Sequence, residues 1–312
     1  MSKFTKSVTA MALALAAVAG AAQAEYPEKP VEFVVPWPPG DLEDVLTRMI
    51  AEDFSEAYGV PTAVVNKPGG GPFPGAIEVA NAPADGYTIG SFIIAIPVVG
   101  PQIGIPELNP DPFVPLGNFL TYPFVIAAGA NAPYDDMAGL AAHAAENDVA
   151  LGHFGAPLVP TQVTFGLAKE MGFAYASDAA FDALDCNTLA SGDVDVINTT
   201  LQLILPCLDD VKVLASIGSE RISLTPDAPT VAELAPNLDV ALWNGLFVHA
   251  DTPQDVQDKI IAVAKKTMMS ERAQTLATET GAQVYWQSAG EVKAQIATDI
   301  ETLAGIEALL AE

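Results

Sequence analysis

Basic residues are scarce in this chain. Across 312 residues, 13 Lys and Arg stand against 39 Asp and Glu, for a formal net charge of −26. A surface of that sign repels nucleic acid and anionic lipid heads, so neither is expected as a partner. In a salty medium the same carboxylates act mainly as screened, solubilising charge. Histidine is nearly missing too. His143, His153 and His249 are scattered, without HExxH or Cys/His ligand spacing, so no metal site is expected. No GxSxG elbow occurs and no cysteine adjoins a histidine. Carboxylates abound, but their spacing selects no acid/base pair. The expectation is no catalytic residue and no enzyme. Glycine-rich nucleotide motifs are also lacking. Gly69-x-Gly71-x-x-x-Gly75 has one residue too many for GxGxxG, and no Gly-Lys-Ser/Thr follows, so no cofactor is expected. After residue 24, no apolar run reaches the ~20 residues of a spanning helix.

What is present begins with an export pattern. Lys3 and Lys6 form a charged start, Val8 to Ala19 an apolar stretch, and Ala22-Gln23-Ala24 a small-residue cleavage site. Residues 1–24 are therefore expected to be a signal peptide, removed after Ala24. In an exported chain the lone pair Cys186 and Cys207 suggests one disulfide, closing a loop of about 20 residues worth roughly 3 kcal/mol. Two buried free thiols are the alternative.

From residue 25 the patterns alternate between strand and helix. Val31–Val35 reads as a strand. Leu42, Val45, Leu46, Met49, Ile50, Phe54 and Ala57 fall at helical spacing before Gly59. A strand over 61–66, a helix over 76–81, the turn Pro83-Ala84-Asp85-Gly86 and a strand over 87–94 follow. This β-α-β-α-β order predicts a parallel sheet covered by helices. Residues 97–123 are Pro-rich and read as irregular. A second α/β set opens at Phe124–Ala128. It holds helices over 161–171 and near 179–189, and strands over 194–198 and 211–215. Leu242–Val248 reads as a crossing back, and three helical patterns close the chain. The last starts with a capping box, Ser288 and Glu291. Two lobes joined by two crossings form a cleft, a favoured place for a ligand. The predicted division is domain 1 over 25–123 and 247–312, domain 2 over 124–246, with hinges near 121–129 and 241–247.

Two Gly/Pro-rich bends follow the first two strands: Pro36-Trp37-Pro38-Pro39-Gly40-Asp41 and Pro68-Gly69-Gly70-Gly71-Pro72-Phe73-Pro74-Gly75. Each stands before a helix, where free backbone N–H groups favour an anion or polar ligand. The glycines permit positive φ and close backbone approach. Trp37 and Phe73 are placed either to wall a pocket or to pack on a neighbouring lobe. Asp41 and Asp44 fit N-cap and N3 of the following helix. Glu43 reads as a solvated first-turn acid. In the alternative reading, one of Asp41 and Glu43 accepts from a ligand group or bound water.

The opening Tyr26-Pro27-Glu28-Lys29-Pro30-Val31 with Pro36–Gly40 and Asp44 resembles the start of the Bug receptors, the extracytoplasmic receptors of tripartite tricarboxylate transporters. Asn66–Gly71 with Gly75, Pro83–Thr88, Ser191–Asp195, Pro229–Glu233, Trp243–Phe247 and Thr252-Pro253 are similar to later motifs of that family, in the same order. The resemblance spans essentially the whole chain after residue 24. It implies an α/β, two-lobed type II periplasmic-binding-protein fold with an interdomain ligand cleft, found in the periplasm as a monomer. It implies a small organic carboxylate, delivered to membrane subunits of a tripartite tricarboxylate-type transporter. It also implies that backbone groups of both bends hold one carboxylate, through Trp37, Pro39, Gly40 and Asp41 and through Gly70, Gly71, Phe73 and Gly75. Gly152–Ala156, running into Thr161 and Gln162, is loosely similar to a third binding loop, which adds His153, Thr161 and Gln162. Where the family usually carries Gly-Ser-Thr, this chain has Asp41-Leu42-Glu43. That departure puts a plain tricarboxylate in doubt. A ligand-sensing role for a membrane signalling partner, or a non-carboxylate polar solute, is the alternative.

Overall fold

The computed structural model describes residues 25–312; the expected signal peptide, 1–24, lies outside the described residues. The chain builds two mixed sheets. The first contains β1 (Val31–Val35), β2 (Thr62–Asn66), β3 (Thr88–Ile93), β4 (Phe113–Thr121), β10 (Trp243–His249) and β11 (Gln283–Ser288). Its order is β11-β4-β10-β3-β1-β2. The second contains β5 (Phe124–Gly129), β6 (Ala150–His153), β7 (Ser177–Ala180), β8 (Val196–Thr200) and β9 (Val211–Ser216), in the order β7-β6-β8-β5-β9. Helices cover both sheets. No helix among the described residues is long and apolar enough to cross a membrane.

The parallel start follows from composition. β1 pairs parallel with β2 and β3, and Val31, Phe33, Val34 and Val35 are all buried. A strand covered on both faces needs such a nearly unbroken apolar run. The helix Leu42–Tyr58 buries Leu42, Leu46, Ile50 and Phe54, one residue per turn. It ends at Gly59, where φ is 69° and the N–H closes on the Ser55 carbonyl.

The sheet becomes mixed where the sequence misleads. β4 lies inside the stretch expected to be irregular, and β10 pairs antiparallel with it and with β3. Pro115 obscures the strand signal, and it is tolerated because it faces Phe247 at a register shift between the two strands. β11, not anticipated between the closing helices, pairs antiparallel with the other edge of β4. The helix expected near 179–189 resolves into the exposed edge strand β7 and the helix Cys186–Ser191. Asp185 caps that helix, accepting from the Asn187 and Thr188 N–H groups.

The chain passes from sheet to sheet at residues 122–123 and returns between Ser216 and Trp243. Residues 243–246, which the predicted division put in the second domain, are strand β10 and pair within the first sheet. Cys186 and Cys207 are joined as a disulfide with Cα atoms 5.9 Å apart. It ties the helix Cys186–Ser191 to the segment Leu205–Asp210, beside a small core of Val125, Leu184, Leu201 and Ile204.

Candidate ligand-binding cleft

The cleft is built first from the bend after β1. Asp44, in the opening turn of Leu42–Tyr58, is buried and holds that bend. Its carboxylate accepts from Arg48 Nε and Nη2, each at 2.9 Å, and from the Gly40 N–H at 2.9 Å. Asn66, the last residue of β2, donates from Nδ2 to Asp44 at 2.9 Å and to the Trp37 carbonyl at 3.0 Å. Burial alone raises the Asp44 pKa. The bonds from Arg48, Gly40 and Asn66 outweigh it and hold the group below its ordinary range.

The second bend supports the first from behind. Gly69, Gly70 and Gly71 all have positive φ. At Gly75 the reason for glycine is proximity, since a Cβ there would lie 2.9 Å from Pro36 Cβ. Lys67, at the head of this bend, is paired with Glu78 at 2.9 Å.

Between the lobes lies a cavity with about 70 Å³ of room for water centres, several times what one water needs. The first sheet and its bend supply Trp37, Asp41, Glu43, Ile93 and Trp243. The second supplies Phe124, Phe154, Leu158 and Pro160, with Thr200 and Gln202 as polar members. Tyr122 sits at the crossing and closes the base. Trp243 is fixed from outside: its Nε1 donates to Asp299 Oδ2 at 2.8 Å, from the C-terminal helix Ala289–Ala311.

The two acids in this wall differ from their expected roles. Asp41 occupies the N-cap position, but its side chain makes no capping bond. Asp44 accepts from the Gly40 N–H, while the Asp41 side chain lies at the cavity wall. Burial, and then the charge of Asp44, push the Asp41 pKa up to about 6. Glu43 is not a solvated acid; it is 2 % exposed. Burial, and then Asp41, push it up to about 8. The Tyr122 hydroxyl lies against Glu43 and donates to Asn244 Oδ1 at 3.1 Å. Asn244 Nδ2 donates to Ser91 Oγ at 2.8 Å, and Thr47 Oγ1 donates to the same oxygen at 2.9 Å. A buried polar chain thus runs beneath the cavity floor.

Of the residues anticipated for the site, the structure brings Trp37 and Asp41 to the cavity wall. Pro39 and Gly40 lie on the exposed outer side of the first bend. Gly70 is exposed, Gly71 and Phe73 are half-buried, and Gly75 is buried against Pro36; none lines the cavity. His153 is buried with Nε2 2.8 Å from Asp178 Oδ2, across the edge of the second sheet. Thr161, expected as an N-cap, is instead inside the first turn of Val159–Glu170, buried and with Oγ1 unpartnered. Gln162 Nε2 donates to the Ala156 carbonyl at 2.6 Å. Sequence reasoning missed Tyr122, Phe154 and Trp243. The Tyr122-Pro123 step at the lobe crossing was the available signal for the first.

The tripartite tricarboxylate transporter family receptor profile matches residues 46–307. The chain belongs to this family. Its members are solute receptors, and the chain is accordingly a receptor rather than an enzyme. It is 26% identical to protein BugT of Bordetella pertussis, over 96% of this chain and 95% of that one. Among solved structures it is similar to MatC from Rhodopseudomonas palustris with bound malate, with a TM-score of 0.78, 23% identity, and 90% and 99% of the two chains covered. An R. palustris protein solved with adipate superposes with a TM-score of 0.80 at 21% identity, covering 91% and 98%.

Proposed function

We propose that this protein is a periplasmic receptor that closes its two lobes on a small organic carboxylate and delivers it to the membrane subunits of a tripartite tricarboxylate-type transporter. One observation carries the reading. The helices Leu42–Tyr58 and Val159–Glu170 begin at the cavity wall from opposite lobes. Helix starts present unpaired N–H groups and positive dipole ends, and the start of Val159–Glu170, with no acid in its first turn, favours an anionic group of the solute. The malate and adipate held by the two similar proteins belong to that chemical class. The aromatic and aliphatic walls suit a short carbon skeleton. Processing after Ala24 releases the receptor as a monomer, and the crossings near 121–129 and 241–247 act as hinges.

Thermal melting of the mature chain against a panel of organic acids tests this. A bound ligand raises stability by RT ln(1 + [L]/Kd), about 2.7 kcal/mol at a hundredfold excess over Kd. The expected result is a raised Tm with one member or a narrow group, each recovered chemically unchanged. Conversion of a panel member into product would reject the receptor reading.

A further inference from the structure

We propose that the solute is an amino-bearing carboxylate, its ammonium group seated between Asp41 and Glu43. The proposal rests on the receptor reading above and narrows its substrate class.

The cavity wall holds two carboxyl groups and no Lys, Arg or His. The nearest cations are already engaged. Arg48 is bidentate on Asp44, and Lys67 is paired with Glu78. Of the three acids at this helix start, Asp44 alone has a cation among the described residues. Asp41 receives no hydrogen bond from any described side chain or cap. Glu43 is 2 % exposed, and the uncharged side chain set against it is Tyr122, whose hydroxyl also bonds Asn244 Oδ1. Asn244 is held in that orientation because its Nδ2 serves Ser91. Glu43 therefore shares the Tyr122 hydroxyl with Asn244 below and faces the open cavity above. One shared hydroxyl is little for a buried carboxyl, and an ammonium supplies further hydrogen bonds to Glu43 and the opposite charge to Asp41, which no cation or cap serves.

The remaining walls suit the same group. Trp37, Tyr122, Phe124, Phe154 and Trp243 face the cavity, and aromatic faces attract a cation but not a carboxylate. A plain dicarboxylate placed here sets one of its own charges beside two buried acids, which is repulsive unless both are protonated. In an amino acid the carboxylate is left for the helix start of Val159–Glu170 on the opposite lobe, while the ammonium meets Asp41 and Glu43.

Isothermal titration calorimetry at pH 7 tests the assignment. The probes are ω-amino acids of three to six carbons, each set against the α,ω-diacid of equal length. The expected result is that one amino acid binds at least about tenfold more tightly than its matched diacid. Its affinity falls about tenfold or more in Glu43→Gln and in Asp41→Asn, while diacid binding is unchanged or improved in the same proteins. Circular dichroism establishes that both variants remain folded. A diacid that binds as tightly as its amino acid counterpart overturns the ammonium assignment and leaves the receptor reading standing. Unchanged amino acid affinity in both folded variants overturns it as well. Failure of every probe to bind overturns this proposal, whereas turnover of a probe removes the receptor reading itself.

Discussion

Glu43 shows how one residue's environment changes its chemistry. An acid in the first turn of a helix is ordinarily stabilised by the positive dipole end and by water. Here the side chain lies in the cavity wall against Tyr122 and is withdrawn from bulk water. The folded protein binds the Glu43 proton up to about pH 8, against a usual value of 4.5. The sign of the pH effect follows. The contribution is fully present below about pH 4.5, where folded and unfolded chains both carry the proton, and is lost as pH rises toward 8. Glu43→Gln removes that loss. Its Tm is expected to match wild type near pH 4 and to exceed it by several degrees at pH 8, about 1–3 kcal/mol of stability. A difference independent of pH, or a wild type more stable at pH 8, would contradict the burial argument.

At the same scale, the sequence allowed the two bends to be found but not told apart. Positive φ at Gly70 and Gly71, and the close contact of Gly75 with Pro36, leave a glycine pattern that can be read directly. Which bend faces the cavity is decided by Asn66 and Asp44, through hydrogen bonds that span 22 residues. Nothing local encodes that partnership. Similarly, the sequence places Asp41 correctly at the N-cap, but does not show that its side chain leaves the helix N–H groups for the cavity wall.

Among elements, the C-terminal helix Ala289–Ala311 acts on the cleft through Trp243 without lining the cavity. Asp299 accepts from Trp243 Nε1 and from Gln295 Nε2, both at 2.8 Å. Burial raises the Asp299 carboxyl, opposed by these two bonds. In Asp299→Ala the buried indole N–H loses its acceptor, at a cost of about 1–3 kcal/mol. Asp299→Asn keeps a carbonyl oxygen for the indole and is expected to retain most of that stability. Urea denaturation of both variants checks the order. Equal losses in the two would show that Trp243 does not depend on this acceptor.

The legibility of the elements divides in the same way. Leu42–Tyr58 could be read from its spacing and its Gly59 stop because the whole signal lies within one segment. β4 could not, since its strand character comes from pairing with β10 and β11, each more than 120 residues away in sequence. Proline at 115 then points the wrong way. β7 lacks an alternating pattern because it is an edge strand with every residue exposed.

For the whole molecule, the α/β class and the two-lobed build were readable from element order, and the family from the ordered motifs. The cavity was not, because its walls come from segments of both lobes that lie far apart in sequence. The same helix bridges those lobes: Ile306 packs beside Gly166 of Val159–Glu170, while Val292 and Leu303 join the main core. In the hinge motion proposed above, opening the cleft slides or bends this contact as well as the two crossings.

The most direct measurement is a crystal structure of the receptor with its tightest-binding solute from the titration panel. The account predicts the solute intact between Trp37, Phe154 and Trp243, with a nitrogen within hydrogen-bonding distance of Asp41 or Glu43. A solute bound outside this cavity, or one lying in it with a carboxylate against those two acids, would contradict it.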